Sequence, residues 1–144
     1  MYLQTEPGAS LKKCLDSQRS TQKFRVYQLG LEGIEAHPFA FRSMEIMLKA
    51  GYQQPPAGSY RLVYDGELIH PRGWTEQAVM RRIREHCNDY LPEGYQGHSM
   101  TMSDILELYD GDNRDFFYCD EDGFTPVRFD AEQAAPMREA DGDE

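Results

Sequence analysis

Three short apolar runs follow one another closely near the C-terminal end of the chain: Ile105 to Tyr109, Phe116 to Cys119 and Phe124 to Phe129. Asp110-Gly111-Asp112-Asn113-Arg114-Asp115 separates the first two, and Asp120-Glu121-Asp122-Gly123 separates the last two. Runs this short, rich in aromatic and branched residues and bounded by turn formers, predict strands rather than free helices. Strands joined by short turns must pair antiparallel, because a parallel pair needs a crossover of a dozen or more residues. The stretch therefore predicts a three-stranded meander with Phe117 and Phe124 in its core. The last strand carries Pro126, which cannot donate to a ladder and so belongs on an edge.

Upstream, residues 1–22 show no sustained apolar period and predict a loose leader, with Leu11, Cys14 and Leu15 at the spacing of one short helix. Phe24 to Leu29 predicts the first strand, and Leu31 to Ala36 a loop. His37-Pro38 opens a helix whose face carries Ala40, Met44, Met47 and Leu48, with Gly51 as its stop. Tyr60 to Tyr64 predicts a second strand, Asp65-Gly66 a hairpin-type turn, and Glu67 to Ile69 a return. Trp74-Thr75 introduces a second helix, with Val79, Ile83 and Cys87 on one face, the arginines 81, 82 and 84 in water, and Arg81 four residues before Glu85. Pro92-Glu93-Gly94 ends that unit. The whole predicts an α+β domain over residues 23–129, with a mainly antiparallel sheet of about five strands and two helices packed on one face. After Phe129 no apolar face remains, so residues 130–144 are expected to form a disordered acidic tail.

At 144 residues the chain is one domain's worth, long enough to bury about 68% of its unfolded surface. Its net charge of −10 is unevenly placed. Residues 104–124 net −7 and residues 130–144 net −5, so the remainder is slightly basic. An acidic C-terminal third repels phosphates and excludes direct nucleic-acid binding through that part. Cys14, Cys87 and Cys119 make an odd count with no CxxC pair, which fits reduced thiols and a cytoplasmic setting better than a disulfide framework. The N-terminus lacks an export pattern and no window is apolar enough for a membrane span.

His98-Ser99 beside Asp104 is the one grouping with the residue types of a hydrolase: a nucleophile, a base and an orienting acid. Neighbouring side chains on extended backbone point to opposite faces, so His98 is badly placed to serve Ser99. There is no GxSxG elbow either. The structural reading has Ser99, Thr101 and Ser103 lining one side of an approach to the sheet, Met100 and Met102 on the core side, and Thr101 or Ser103 capping a turn. The two acidic turns miss the calcium-loop spacing of ligands, glycine and final glutamate. His37, His70, His86, His98 and Cys119 show no metal-ligand spacing, and no phosphate-binding glycine loop is present. No residue is assigned a catalytic, cofactor-binding or metal-binding role.

Gly97-His98-Ser99-Met100-Thr101-Met102-Ser103-Asp104-Ile105, the Asp-Gly turn, Phe117-Tyr118-Cys119-Asp120 and Gly123-Phe124 together resemble the YodL-like domain. Phe24 to Leu29, Tyr60 to Gly66, Asn88-Asp89-Tyr90 and Pro92-Glu93-Gly94-Tyr95 are similar to its earlier blocks, in the same order. Cys119 stands where the family pattern has valine, a change that leaves a strand intact. The resemblance implies a small bacterial domain, common in gut Gram-positive bacteria and their mobile elements, with no established catalytic residues. The expected function is a cytoplasmic, non-enzymatic module that binds another protein. One alternative is an anti-defence DNA mimic using Asp110, Asp112, Asp115, Asp120, Glu121 and Asp122 against a nuclease or restriction enzyme. The other is the Ser99/His98 hydrolase.

Overall fold

Strand β1, Arg19–Leu29, is the member on which the sheet is assembled, pairing antiparallel with β2, Tyr60–Pro71, on one side and β3, Ile105–Asp110, on the other. Strands β4, Asn113–Asp120, and β5, Gly123–Val127, continue from β3 by tight turns, giving the order β2-β1-β3-β4-β5 with every neighbour antiparallel. The computed structural model describes residues 18–30 and 38–138. Leu11, Cys14, Leu15, Leu31 to Ala36 and His37 lie outside the described residues.

The alternation of side chains along β1 builds two cores. Phe24 and Val26 face one side with Leu106, Leu108, Phe117, Cys119 and Phe124. That side is covered by helix α2, Glu76–Asp89, through Val79, Met80, Ile83 and Cys87. Tyr27, Leu29, Ile105 and Tyr118 face the other way, onto Phe39, Tyr60, Phe129 and Met47 of the short helix α1, Met44–Lys49. The five-stranded antiparallel sheet and its two helices match the expected α+β fold, and Phe117 and Phe124 are buried. The helices differ from expectation in placement: each covers its own side of the sheet, because both faces of the central strands are apolar.

Further departures have local causes. The helix expected from Pro38 begins at Met44, where the Ser43 hydroxyl caps it by accepting from Ile46 N–H at 3.4 Å. Leu48, expected on its inner face, is exposed, while Met47 is buried. Asp65-Gly66 does not turn. It lies inside β2, because β1 is long enough to pair with all of it, from Leu29 opposite Tyr60 to Arg19 opposite Pro71. The Tyr64 ring lies over Gly66 where a Cβ would stand, so any larger residue there would have to displace the ring. Residues 19–22 belong to β1 and not to a loose leader. Both acidic turns are shorter than expected, with Asp110 paired to Asn113 and Asp120 to Gly123. Gly111, at φ +62°, occupies the first central position of its turn, where hairpins need left-handed backbone.

The expected disordered tail is corrected over residues 130–138. Ala135 pairs parallel with Arg61 on the outer side of β2, donating to Tyr60 O at 2.9 Å and accepting from Leu62 N–H at 2.8 Å. The Gln96 carboxamide exchanges two 2.8 Å bonds with the backbone of Arg138. Open backbone groups on an edge strand hold this segment, and Ala131 and Ala134 pack against the cluster of Tyr27 and Phe129. Residues 139–144 lie outside the described residues.

Candidate functional site

Gln28, near the end of β1, points to the α2 side of the sheet and meets the segment running from Tyr95 to Asp104. Its carbonyl oxygen accepts from His98 N–H at 3.1 Å, and its amide donates to His98 O at 2.8 Å and to Asp104 Oδ2 at 2.9 Å. One side chain thus pairs with both backbone groups of His98, as a neighbouring strand would. Gly97 has no alternative here, since a Cβ would collide with Gln28 Oε1. Asp104 Oδ2 also accepts from Thr101 N–H at 2.9 Å, closing the turn that leads into β3. The expected capping role of Thr101 or Ser103 therefore belongs to Asp104.

Asp104 is 1% exposed. Burial pushes its carboxyl up to about 8, against the opposing pull of the Thr101 and Gln28 hydrogen bonds and the charge of Arg84. The carboxyl is therefore mainly protonated at neutral pH. A neutral acid fits a place where hydrogen bonds are available but no close counter-ion is.

Above this knot the backbone is strained at two points. Phe41 and Ser103 are the only non-glycine residues with positive φ among those described, at +62° and +81°. They are bonded to each other, Phe41 N–H donating to Ser103 Oγ at 3.1 Å. Ser103 is locked from both sides: its N–H donates to Cys119 O at 3.1 Å, and its carbonyl accepts from the Tyr60 hydroxyl at 2.7 Å. The loop is pinned on either side of Phe41, by buried Phe39 and by the Tyr118 hydroxyl donating to Arg42 O at 2.8 Å. Between these anchors the Phe41 side chain is turned outward, 42% exposed, with its ring edge-on to His98 at 5.5 Å. Left-handed backbone costs an L-residue about 1–2 kcal/mol, and a bulky side chain held there at the surface is strain tied to presentation.

The predicted site residues are placed as follows. Ser99 is exposed, and its hydroxyl donates to Asn88 O at 3.4 Å, a helix-end carbonyl. His98 Nδ1 lies 2.8 Å from Ser99 O and 3.3 Å from the Gln28 amide. Among the described residues no hydrogen bond joins the Ser99 hydroxyl to the His98 ring, and the Asp104 carboxylate meets Gln28 and Thr101 instead. The nucleophile, base and acid expected in the hydrolase reading are not assembled. Met100 is buried as expected, whereas Met102 is half-buried and Ser103 is buried, because the segment turns at 102–103 instead of running extended. No three His, Cys, Asp or Glu side chains converge as metal ligands among the described residues.

A second polar cluster lies on the opposite face of the sheet and was invisible in the sequence. Glu107, 0% exposed, sits among the Arg25 guanidinium at 3.0 Å, Arg114 at 2.7 Å and the Tyr27 hydroxyl at 2.8 Å. Arg25 continues to Asp65 at 3.0 Å and lies over the Tyr109 ring. All four acceptor positions of a carboxylate are in demand here, so the cluster closes on itself as a fastening between β1, β2, β3 and β4.

Sequence reasoning also passed over Gln28 and Phe41. A lone polar residue in a strand gives no warning of a partner seventy positions away, whereas the Phe39-Ala40-Phe41 run before a serine cap marks a break that was readable.

No curated protein and no solved structure matches the chain. The family model of the YodL-like domain matches residues 23–129, from β1 through the meander and the glycine, serine and aspartate of the knot beneath Phe41, and the chain belongs to that family.

Proposed function

We propose that this domain is a non-catalytic protein-binding module of the cytoplasm, and that Phe41 with His98 forms the centre of its binding surface. The observation that carries the reading is the pair of left-handed residues, Phe41 and Ser103, bonded to each other and pinned by Tyr60 and Tyr118. The fold accepts backbone strain and leaves an aromatic ring at the surface, the kind of anchor that dominates protein interfaces. Tyr90 and Leu91, both exposed, lie two and three residues after Asn88, whose carbonyl accepts from the Ser99 hydroxyl. The apolar surface is thus extended on the other side of the His98-Ser99 segment. Reduced thiols support the cytoplasmic setting, since Cys87 and Cys119 are buried and unpaired.

The DNA-mimic reading has less behind it. Asp120 is committed to Met44 N–H, Glu121 N–H and Thr125. Glu121 and Asp122 share an opening with Arg81 and Arg84, which breaks the acidic surface at that end.

Phe41→Gly tests the reading without confounding binding and folding. Glycine populates positive φ freely, so the relieved backbone strain offsets the lost packing of the ring on His98 and glycine's own entropic cost, and the variant should stay within about 1 kcal/mol of wild type. It should also lose partner proteins captured by the wild-type domain from a bacterial lysate. Capture of the same proteins in the same amounts by the glycine variant would refute the assignment.

A further inference from the structure

The two edges of the sheet are treated differently. Edge strand β5 carries Pro126 and lies beside the acidic turn at Glu121 and Asp122. On the other edge, the first part of β2 is covered: Ala135 bonds to Tyr60 and Leu62, and Gln96 N–H donates to Val63 O at 2.8 Å. From Asp65 to His70 no described residue hydrogen-bonds to the outer backbone of β2. This open stretch contains no proline or lysine, the usual guards of an edge. Its charges are nearly used up, because Asp65 is held by Arg25 and by the Tyr109 hydroxyl, which leaves Glu67 as the one uncommitted acid. Ile69 points into solvent from it, 61% exposed. On the opposite face His70 stacks on half-exposed Trp74, with centroids 5.9 Å apart.

We propose that a second copy of this chain pairs with the first along this open half of β2, antiparallel, with Ile69 on the two-fold axis. Rotation about Ile69 brings the two exposed isoleucines together on one face. On the other face Leu68 falls beside His70 and its Trp74 stack. Glu67 then lies opposite Pro71, so no like charges face each other. A register centred on Glu67 would place two carboxylates in direct opposition, which is destabilising across a strand pair. Charge also selects this edge for self-association. Each chain carries −10 overall, and copies meeting at β5 would bring acidic turns together. The open half of β2 holds no such acidic cluster: of its two acids, Asp65 is paired to Arg25, and Glu67 lies opposite Lys23 of β1. The pairing joins two five-stranded sheets into one of ten strands, about the size limit of an open twisted sheet. It uses a surface separate from Phe41 and stands or falls independently of it.

Sedimentation of the full chain over a wide concentration range is the test. A concentration-dependent dimer is expected for wild type and for Phe41→Gly. Ile69→Lys, checked for folding by thermal denaturation, should weaken dimerisation at least about tenfold, since each tenfold step needs only about 1.4 kcal/mol. In a Cys14→Ser background, Ile69→Cys should cross-link between copies on oxidation, and Glu67→Cys should not. A protein that stays monomeric at every concentration overturns the proposal. So does a dimer that neither Ile69→Lys disturbs nor Ile69→Cys traps. A monomer that captures an unrelated protein through this edge, lost in Ile69→Lys, assigns the edge to a different partner and also overturns it.

Discussion

Asp104 shows how one residue links motif, turn and stability. Its ordinary value is 3.8, and burial holds it near 8 in the folded chain. Between these values the unfolded chain has released the proton that the folded chain retains, so unfolding gains nothing from low pH and is favoured as pH rises. The loss of stability is on the order of 1 kcal/mol per pH unit across that window, and it levels off above about pH 8. Asp104→Asn keeps an acceptor for Thr101 and Gln28 and cannot ionise. Its stability should therefore lie closest to wild type near pH 3, below the unfolded value, and exceed it by a margin that grows up to about pH 8. Denaturant midpoints of both proteins across that range check this, and parallel pH profiles would show that Asp104 is ionised in the native state. Gly97 beneath it is fixed by contact with Gln28 rather than by turn geometry, which makes Gly97→Ala a steric lesion in the same knot.

At the scale of elements, the segment after Phe129 changes character once β2 is in place. Four backbone or backbone-mimicking bonds tie residues 135–138 to β2 and Gln96, and Ala131 and Ala134 pack against the Tyr27–Phe129 cluster. A hydrogen bond contributes about 0.5–1.5 kcal/mol net. Ending the chain at Asp130 should therefore cost on the order of 2 kcal/mol relative to a chain ending at Arg138. Equal melting temperatures for the two would show that the segment does not hold to β2. The parallel pairing of Ala135 with Arg61 also gives an internal example of what the β2 edge accepts, an extended strand added from outside.

For the whole molecule the decisive feature is that β1, the first of the described strands, is interior to the sheet, between β2 and β3. It pairs with β2 and with β3, whose residues lie roughly forty and eighty positions away, so neither side of the sheet closes until distant segments meet. Such nonlocal pairing favours cooperative opening. Cys87 on α2 and Cys119 on β4 belong to one core cluster, and burial pushes both thiols up to about 12. In a Cys14→Ser background, both should resist thiol reagents at pH 8 and become labelled together, at the rate of global unfolding. Faster labelling of Cys87 than Cys119 under native conditions would mean that α2 opens by itself.

Local pattern determined much of this protein. The meander was legible because its strands are short and apolar and are joined by two Asp/Gly turns, and Pro126 marked its own strand as an edge. Thr75 was legible as a helix start because its hydroxyl caps a neighbour three residues away, at Ala78 N–H. What depended on residues far apart in the chain was decided only by the tertiary structure. Asp65-Gly66 carries the local chemistry of a turn, yet a long β1 alongside keeps it extended. Residues 131–138 offer only the small apolar side chains of Ala131 and Ala134 to the core, yet the unpaired edge of β2 holds them. His98, Ser99 and Asp104 suggested a catalytic set because they are adjacent in sequence, but Gln28, seventy positions from His98, takes the hydrogen bonds that such a set would need. Phe41 became an exposed ring only when Ser103, Tyr60 and Tyr118 fixed the backbone beneath it. Local sequence sets which conformations are cheap, and the free energy of long-range pairing and burial determines which of them the chain adopts.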